Sequence, residues 1–178
     1  HYNFNDYGLS IDTALALDAI GVRDAAVQSV ATAIATNIDA YTTFQPYFPA
    51  TDEQVSAGGV AKSASLAVTA HQDPRAFGGR DLISELESMT SATGPTTGRI
   101  ADEVPPLPDP APQWPSADYA NVIGQAYAAR VLTLMGSSRA TDVTDFLLDQ
   151  QCDAGYFRLY FNSDKDAAEQ GCVDGAPG

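Results

Sequence analysis

Three stretches of the chain repeat one pattern of apolar and small residues, and each pattern predicts a helix. The stretches begin near Asp6, Ala57 and Asp118, and in each the apolar residues cover most of the helix circumference. A second helix with a narrower apolar stripe and a polar face follows each one. We expect the first helices to be packed on all sides and the second helices to show one face to water. Self-similar units of this length are typical of stacked helical repeats, so the pattern predicts an all-α fold.

The chain of 178 residues is long enough for one domain with a buried core. Antiparallel helix hairpins are predicted at about 6–41, 55–90 and 118–151, and a loop follows at 152–172. A proline-rich insertion at 95–115 separates the second and third hairpins, and its prolines prevent a helix because they fix φ and lack an N–H group. Since the helical pattern resumes after the insertion, we expect it to belong to the same domain.

The charge of the chain excludes some classes of partner. Asp and Glu total 23 against 9 Lys and Arg, for a formal net charge of −14, and the only lysines are Lys62 and Lys165. Such a surface repels phosphate backbones and anionic membranes, so no nucleic acid is expected as a partner. The sequence has no apolar run of ~18 residues, so no membrane span is expected. The composition favours an extracellular or cell-wall-associated protein whose targeting segment has been removed before His1.

Two cysteines, Cys152 and Cys172, flank a loop of 19 residues. Two free thiols are possible, but the acidic, lysine-poor composition favours a disulfide in an extracytoplasmic setting. On the chain-entropy account, closing a loop of this size stabilises the fold by about 3 kcal/mol. The only histidines are His1 and His71, so we expect no zinc site, no other metal and no cofactor.

A family resemblance lies in the segment after the sixth helix, which reads Leu-Asp-Gln-Gln-Cys-Asp-Ala-Gly-Tyr-Phe. It resembles the Gln-x-x-Asp-Gly-x-Trp signature of the prenyltransferase and squalene-cyclase repeat, with Gln150 or Gln151, Gly155 and Phe157 in the matching places. The resemblance implies an α/α toroid in which these residues tie neighbouring repeats together. Such toroids usually have five to seven hairpins. Three hairpins would therefore form a partial toroid, most similar to secreted actinobacterial proteins of this type.

The catalytic residues of the family do not carry over to this chain. When the Asp-x-Asp-Asp-Thr-Ala motif of class II cyclases is aligned on Asp12-Thr13-Ala14, Ile11 takes the place of the proton donor. The two histidines of the chain do not fit a prenyltransferase zinc site, and the Cys-Gly-Glu-Gln thioester of complement-like toroids is missing. The resemblance implies a non-catalytic secreted or cell-surface module for binding or structure. Two alternatives stay open: a terpene-cyclase-like, prenyltransferase-like or glycan-active enzyme, and a cobalamin-carrier-like binder of a small molecule.

In this architecture the N-terminal ends of the first helices face a central cavity. The candidate ligand-binding residues at these ends are Tyr7, Asp12, Lys62, Tyr119, Asn121 and Gln125. Polar groups on apolar helices are costly unless they are paired. They therefore either form an internal hydrogen-bond network or line a wet cavity for a small molecule or a glycan.

The two ends of a partial toroid should expose apolar helix faces, because terminal repeats lack one neighbour. We expect another protein chain, or a missing segment, to cover these faces. The 178-residue chain is therefore expected to associate.

Overall fold

The computed structural model describes residues 5–21, 24–45, 53–106, 118–162 and 164–173. These residues are 50% helical, which supports the all-α class, and they contain seven helices and one small sheet. The helices are α1 Tyr7–Ala19, α2 Asp24–Thr36, α3 Ile38–Thr42, α4 Ala57–Thr69, α5 Leu82–Ser88, α6 Val122–Leu134 and α7 Ala140–Asp149. The sheet pairs β1 Thr43–Phe44 antiparallel with β2 Gln54–Val55. Within this part of the chain, no helix has both the length and the apolar character needed to cross a bilayer.

The first helices of the three predicted hairpins are α1, α4 and α6, and α4 lies between the other two. The second helices α2, α5 and α7 each pack against the first helix of their own pair. Ten of the thirteen residues of α4 are buried, whereas α1 buries only Ile11 and Ala14. The expectation that every first helix is enclosed is therefore wrong for α1, and also for α6, which buries six of its thirteen residues, because each of them has a neighbouring first helix on one side only within the described ranges.

The three first helices share one capping register. Their N-caps are Asp6, Ser56 and Asn121, and each helix has thirteen residues. In each case the side-chain oxygen of the cap accepts a hydrogen bond from the backbone N–H of the third residue after it. These bonds satisfy donors that the first helical turn leaves without a partner. The shared register makes positions in the three helices directly comparable.

The C-terminal ends of the first helices follow the same register. Fifteen residues after its cap, each helix reaches a residue with positive φ: Gly21 at 67°, His71 at 55° and Gly136 at 67°. Glycine adopts this left-handed conformation without steric cost, whereas a residue with a Cβ atom does not. The second repeat therefore uses a histidine where the other two use glycine.

Two predicted helix bounds are wrong. The second helix, predicted to run without a break to Tyr41, is interrupted at Asn37, whose side chain donates to the Ala33 carbonyl. The helix predicted from Asp118 begins at Val122, because Asn121 takes the capping position.

The first part of the proline-rich insertion belongs to the core, while residues 107–117 lie outside the described ranges. Ile100 is fully buried. The Asp102 N–H donates to the Asp118 carboxylate at 2.9 Å, and the Tyr119 N–H donates to the Asp102 carboxylate at 3.0 Å. Asp102 also accepts from the Ala57 N–H at the start of α4, at 2.9 Å. We call the Asp102–Asp118 pair the carboxylate latch, because it holds the two ends of the insertion together.

The disulfide between Cys152 and Cys172 is confirmed, with the two Cα atoms 5.1 Å apart. The Cys172 N–H donates to the carbonyl of Asp149 at the end of α7. Phe161 within the disulfide loop packs edge-on against Phe146 of α7, with 5.2 Å between the ring centroids. The loop is therefore fastened to the third helix pair both at Cys172 and at its aromatic segment.

Candidate functional site

Asp12, Lys62 and Tyr127 come together although they lie on three different helices. The Lys62 Nζ atom is 2.7 Å from the Asp12 Oδ1 atom, and the Tyr127 hydroxyl donates to the same oxygen at 3.1 Å. The Lys62 ammonium also lies 5.8 Å from the centroid of the Tyr127 ring. Each of the three is the sixth residue after the N-cap of its helix. We call this group the inner cluster.

The small residues of the first helices allow this convergence. A Cβ atom on Gly124 would lie 2.9 Å from the Gly58 Cα atom, so the backbones of α4 and α6 approach closely at their N-terminal ends. Side chains one turn further along the helices can then reach across α4 to α1. The Lys62 side chain is 14% exposed and that of Asp12 is 52% exposed. The ammonium is thus largely shielded while part of the carboxylate faces solvent.

Two further tyrosines extend the inner cluster. Burial, followed by the negative charge of Asp12, raises the pKa of Tyr41 to about 12. The same two causes raise the pKa of Tyr127. Tyr7 packs edge-on against Tyr41, with 6.3 Å between the ring centroids. Because their pKa values are raised, the Tyr41 and Tyr127 hydroxyls keep their protons at neutral pH. The cluster therefore combines a carboxylate and an ammonium with a neutral tyrosine hydroxyl that donates to the carboxylate.

The other predicted ligand-binding residues lie outside the inner cluster. Tyr119 is 49% exposed and its ring lies 6.3 Å from that of Phe44. The Asn121 side chain accepts the N–H groups of Ile123 and Gly124 as the cap of α6. The Asn121 side chain therefore bonds within the fold, as the internal-network alternative expects.

Gln125 is fully buried and its amide bonds only to backbone groups. Its Nε2 atom donates to the carbonyls of Gly98 at 2.7 Å and Val143 at 3.0 Å, and its Oε1 atom accepts from the Ile100 N–H at 3.0 Å. Both amide protons are used, so the side chain has no donor left for a ligand. Gln125 instead joins the insertion and α7 to α6.

The sequence reasoning missed Tyr41 and Tyr127. Aligning Asp118 with Asp6 placed the third repeat three residues too early, which hid the match of Tyr127 with Asp12. Alignment on the caps Asp6 and Asn121 would have found Tyr127. No sequence pattern pointed to Tyr41, because its position depends on the interruption that ends α2.

The residues of the family-like signature bond within their own segment. The Gln150 side chain donates to the Phe146 carbonyl one turn earlier, at 3.1 Å. The Gln151 side chain donates to the carbonyl of Gly155, at 3.0 Å. Gly155 has a φ of 91° and forms the turn that brings Phe157 opposite Gln151.

Arg99 adds a buried positive charge to the carboxylate latch. The Arg99 guanidinium lies 2.8 Å from the Asp118 carboxylate and 5.1 Å from the Phe161 ring centroid, and its side chain is 7% exposed. Burial raises the pKa of Asp102 above its ordinary value, and the hydrogen bonds from the Tyr119 and Ala57 N–H groups offset only part of this rise. Because these charges are paired inside the fold, we assign this group a structural role. No set of three or more His, Cys, Asp or Glu side chains within the described ranges could hold a metal ion.

In comparisons with protein-family models, with curated proteins and with solved structures, no match to this chain was found.

Proposed function

We propose that the protein is a non-catalytic, extracellular or cell-wall-associated module that binds a neutral, polyhydroxylated ligand such as a glycan at the inner cluster. The observation that carries the proposal is the convergence of Asp12, Lys62 and Tyr127 from equivalent positions on three helices. Long polar side chains on otherwise small-residue helices are costly unless they are paired or used. Here they are paired, yet about half of the Asp12 side chain stays exposed to solvent.

The charges of the site and of the whole chain favour a neutral ligand. A net charge of −14 repels anionic ligands at long range. The Lys62 charge is already balanced by Asp12, so neither charge is free to select an ion. A polyhydroxylated ligand matches the remaining capacity, because its hydroxyl groups can donate to Asp12 and accept from Lys62. The neighbouring tyrosine rings offer apolar faces beside these polar groups.

The partial-toroid architecture and the location belong to the same proposal. The order of α1, α4 and α6, with one outer helix packed on each, supports an arc of an α/α toroid whose first helices carry the site. The disulfide supports an extracytoplasmic location, since such bonds persist in oxidising compartments.

The experiment is a heteronuclear NMR titration of the full chain with neutral gluco-, xylo-, manno- and chito-oligosaccharides. We expect at least one of them to shift the backbone amide signals of the inner cluster, and Lys62→Met to weaken its binding by about tenfold or more, as expected for a lost hydrogen bond from a charged group. Lys165→Met is the matched control, because Lys165 is the other lysine and lies near Asp118 at the latch. Binding that leaves the inner-cluster signals unchanged, or no binding by any of the oligosaccharides, would contradict the proposal. Chromatography of the incubated sugars completes the test, since cleavage products would show a catalytic protein.

A further inference from the structure

Equivalent positions on α4 and α6 differ in whether a neighbour covers them. On α4, the second, ninth and thirteenth residues after the cap are Gly58, Ser65 and Thr69, and all three contact α6. Gly58 meets Gly124, and the Ser65 hydroxyl lies 3.4 Å from the Tyr127 carbonyl oxygen. The Thr69 hydroxyl accepts from the Arg130 guanidinium at 3.4 Å. These three positions form the side of a first helix on which the next repeat packs.

The same three positions on α6 have no such neighbour within the described part of the chain. They are Ile123, Arg130 and Leu134, and we call them the front face. Ile123 is 57% exposed, Leu134 is 56% exposed and Arg130 is exposed as well. Beside them, a groove of about 460 Å³ lies between α6, Leu147 of α7 and Phe157. The front face is therefore an apolar surface with one cation at its centre.

The side of the first helices toward the preceding repeat shows the reverse asymmetry. The third, seventh and tenth residues after the cap are buried on both α4 and α6, and at the third position Gly59 faces Thr42 and Gly124 faces Gly58 of the preceding repeat. On α1 these positions are Leu9, Thr13 and Ala16, which are exposed, with Leu9 at 61%. Ile20 continues the stripe and is 69% exposed, whereas Ala70 at the matching position of α4 is 2% exposed. We call Leu9, Thr13, Ala16 and Ile20 the back face.

We propose that the front face of one copy of this chain packs against the back face of a second copy, head to tail. The contact would use the helix positions that already join α4 to α6, with Ile123 opposite Leu9 where Gly58 meets Gly124 inside the chain, so the two helices would lie further apart. The charges permit the pairing: Arg130 is the charged residue of the front face, and the back face carries no charged side chain. A front-to-front dimer would instead place Arg130 beside its own copy. Two unlike faces make a heterologous contact, which leads to rings or chains of copies. This proposal does not rest on the proposed ligand.

The test uses one variant for each face of the full chain. Ile123→Asp disables the front face and Leu9→Asp the back face, and both residues are exposed, so the fold should tolerate either change. Val173→Asp is the control, because Val173 is 45% exposed and lies on neither face. Circular dichroism of each variant checks that the helices are intact.

Sedimentation velocity then measures the oligomeric state at protein concentrations up to about 100 µM, where weak interfaces become populated. We expect the unaltered chain and Val173→Asp to associate, and each face variant alone to be monomeric. An equimolar mixture of the two face variants should form a dimer, because one partner keeps an intact front face and the other an intact back face. A monomeric unaltered chain, association of either face variant alone, or a mixture that stays monomeric would each overturn the proposal. The first of these results is also the one expected if a different protein covers the faces.

Discussion

Replacing Gly124 with alanine tests how closely α4 and α6 approach each other. The new Cβ atom would lie 2.9 Å from the Gly58 Cα atom and 3.4 Å from the Ile100 Cδ1 atom. The first distance is to backbone, so one of the two helices must shift. Overpacking of this kind typically costs about 1–3 kcal/mol.

The intrinsic helix preference of alanine acts in the opposite direction. Alanine is favoured over glycine in a helix by up to about 1 kcal/mol. Gly58→Ala separates the two effects, because its Cβ atom would meet Gly124 Cα at an ordinary 3.7 Å. We expect Gly58→Ala to be neutral or stabilising by up to about 1 kcal/mol, and Gly124→Ala to be about 1–3 kcal/mol less stable than Gly58→Ala.

The assay is equilibrium urea unfolding at neutral pH, followed by far-ultraviolet circular dichroism with the disulfide intact. For a chain of this size, the expected difference between the variants corresponds to roughly 2–12 °C in melting temperature, at about 2–4 °C for each kcal/mol. Equal stability of the two alanine variants would refute the reasoning, because it would mean that the helices are further apart than the structure shows.

Three further predictions concern other features. His71→Gly should stabilise the fold by up to about 1 kcal/mol in the same urea assay, since it removes a Cβ atom from a left-handed residue; no gain would indicate a compensating contact of the imidazole. The Tyr41 pKa of about 12 lies above its ordinary value of 10.0, so the folded state holds this proton more tightly and stability should fall as pH rises from 10 to about 12. Tyr41→Phe should flatten that fall, and an unchanged alkaline unfolding profile would contradict the assignment. The double variant Cys152→Ala/Cys172→Ala should lose about 3 kcal/mol, because its unfolded loop is no longer restricted; a loss below about 1 kcal/mol would contradict this account.

The sequence predicted the elements whose signals are local. The first hairpin was predicted from about residue 6, and α1 begins at Tyr7 because the Asp6 side chain caps it from within one turn. The start of α6 was placed at Asp118 because its Asp-Tyr pair matches the pair at Asp6. The carboxylate of Asp118 instead accepts a bond from Asp102, across the insertion. A local pattern cannot show that a distant backbone group will take a capping side chain.

The sequence predicted only part of the candidate site, again because local patterns do not show contacts between distant elements. Asp12 and Lys62 stand out because they are charged residues among small apolar ones, and the structure joins them. Gln125 stands out equally on a sequence basis. Its partners Gly98 and Val143 belong to other elements, so only the tertiary fold shows that its amide is fully used inside the core.

The carboxylate latch makes the chain between Glu103 and Asp118 a natural place to graft foreign sequence. Its two ends are held next to each other by hydrogen bonds among Asp102, Asp118 and Tyr119. Lengthening a loop with fixed ends costs little, about 0.6 kcal/mol for each doubling of its length. An epitope, a fluorescent domain or a second binding domain inserted there would leave the order of the helices and the inner cluster unchanged. The latch therefore fixes where the two chain ends lie, whatever the length of the segment that joins them.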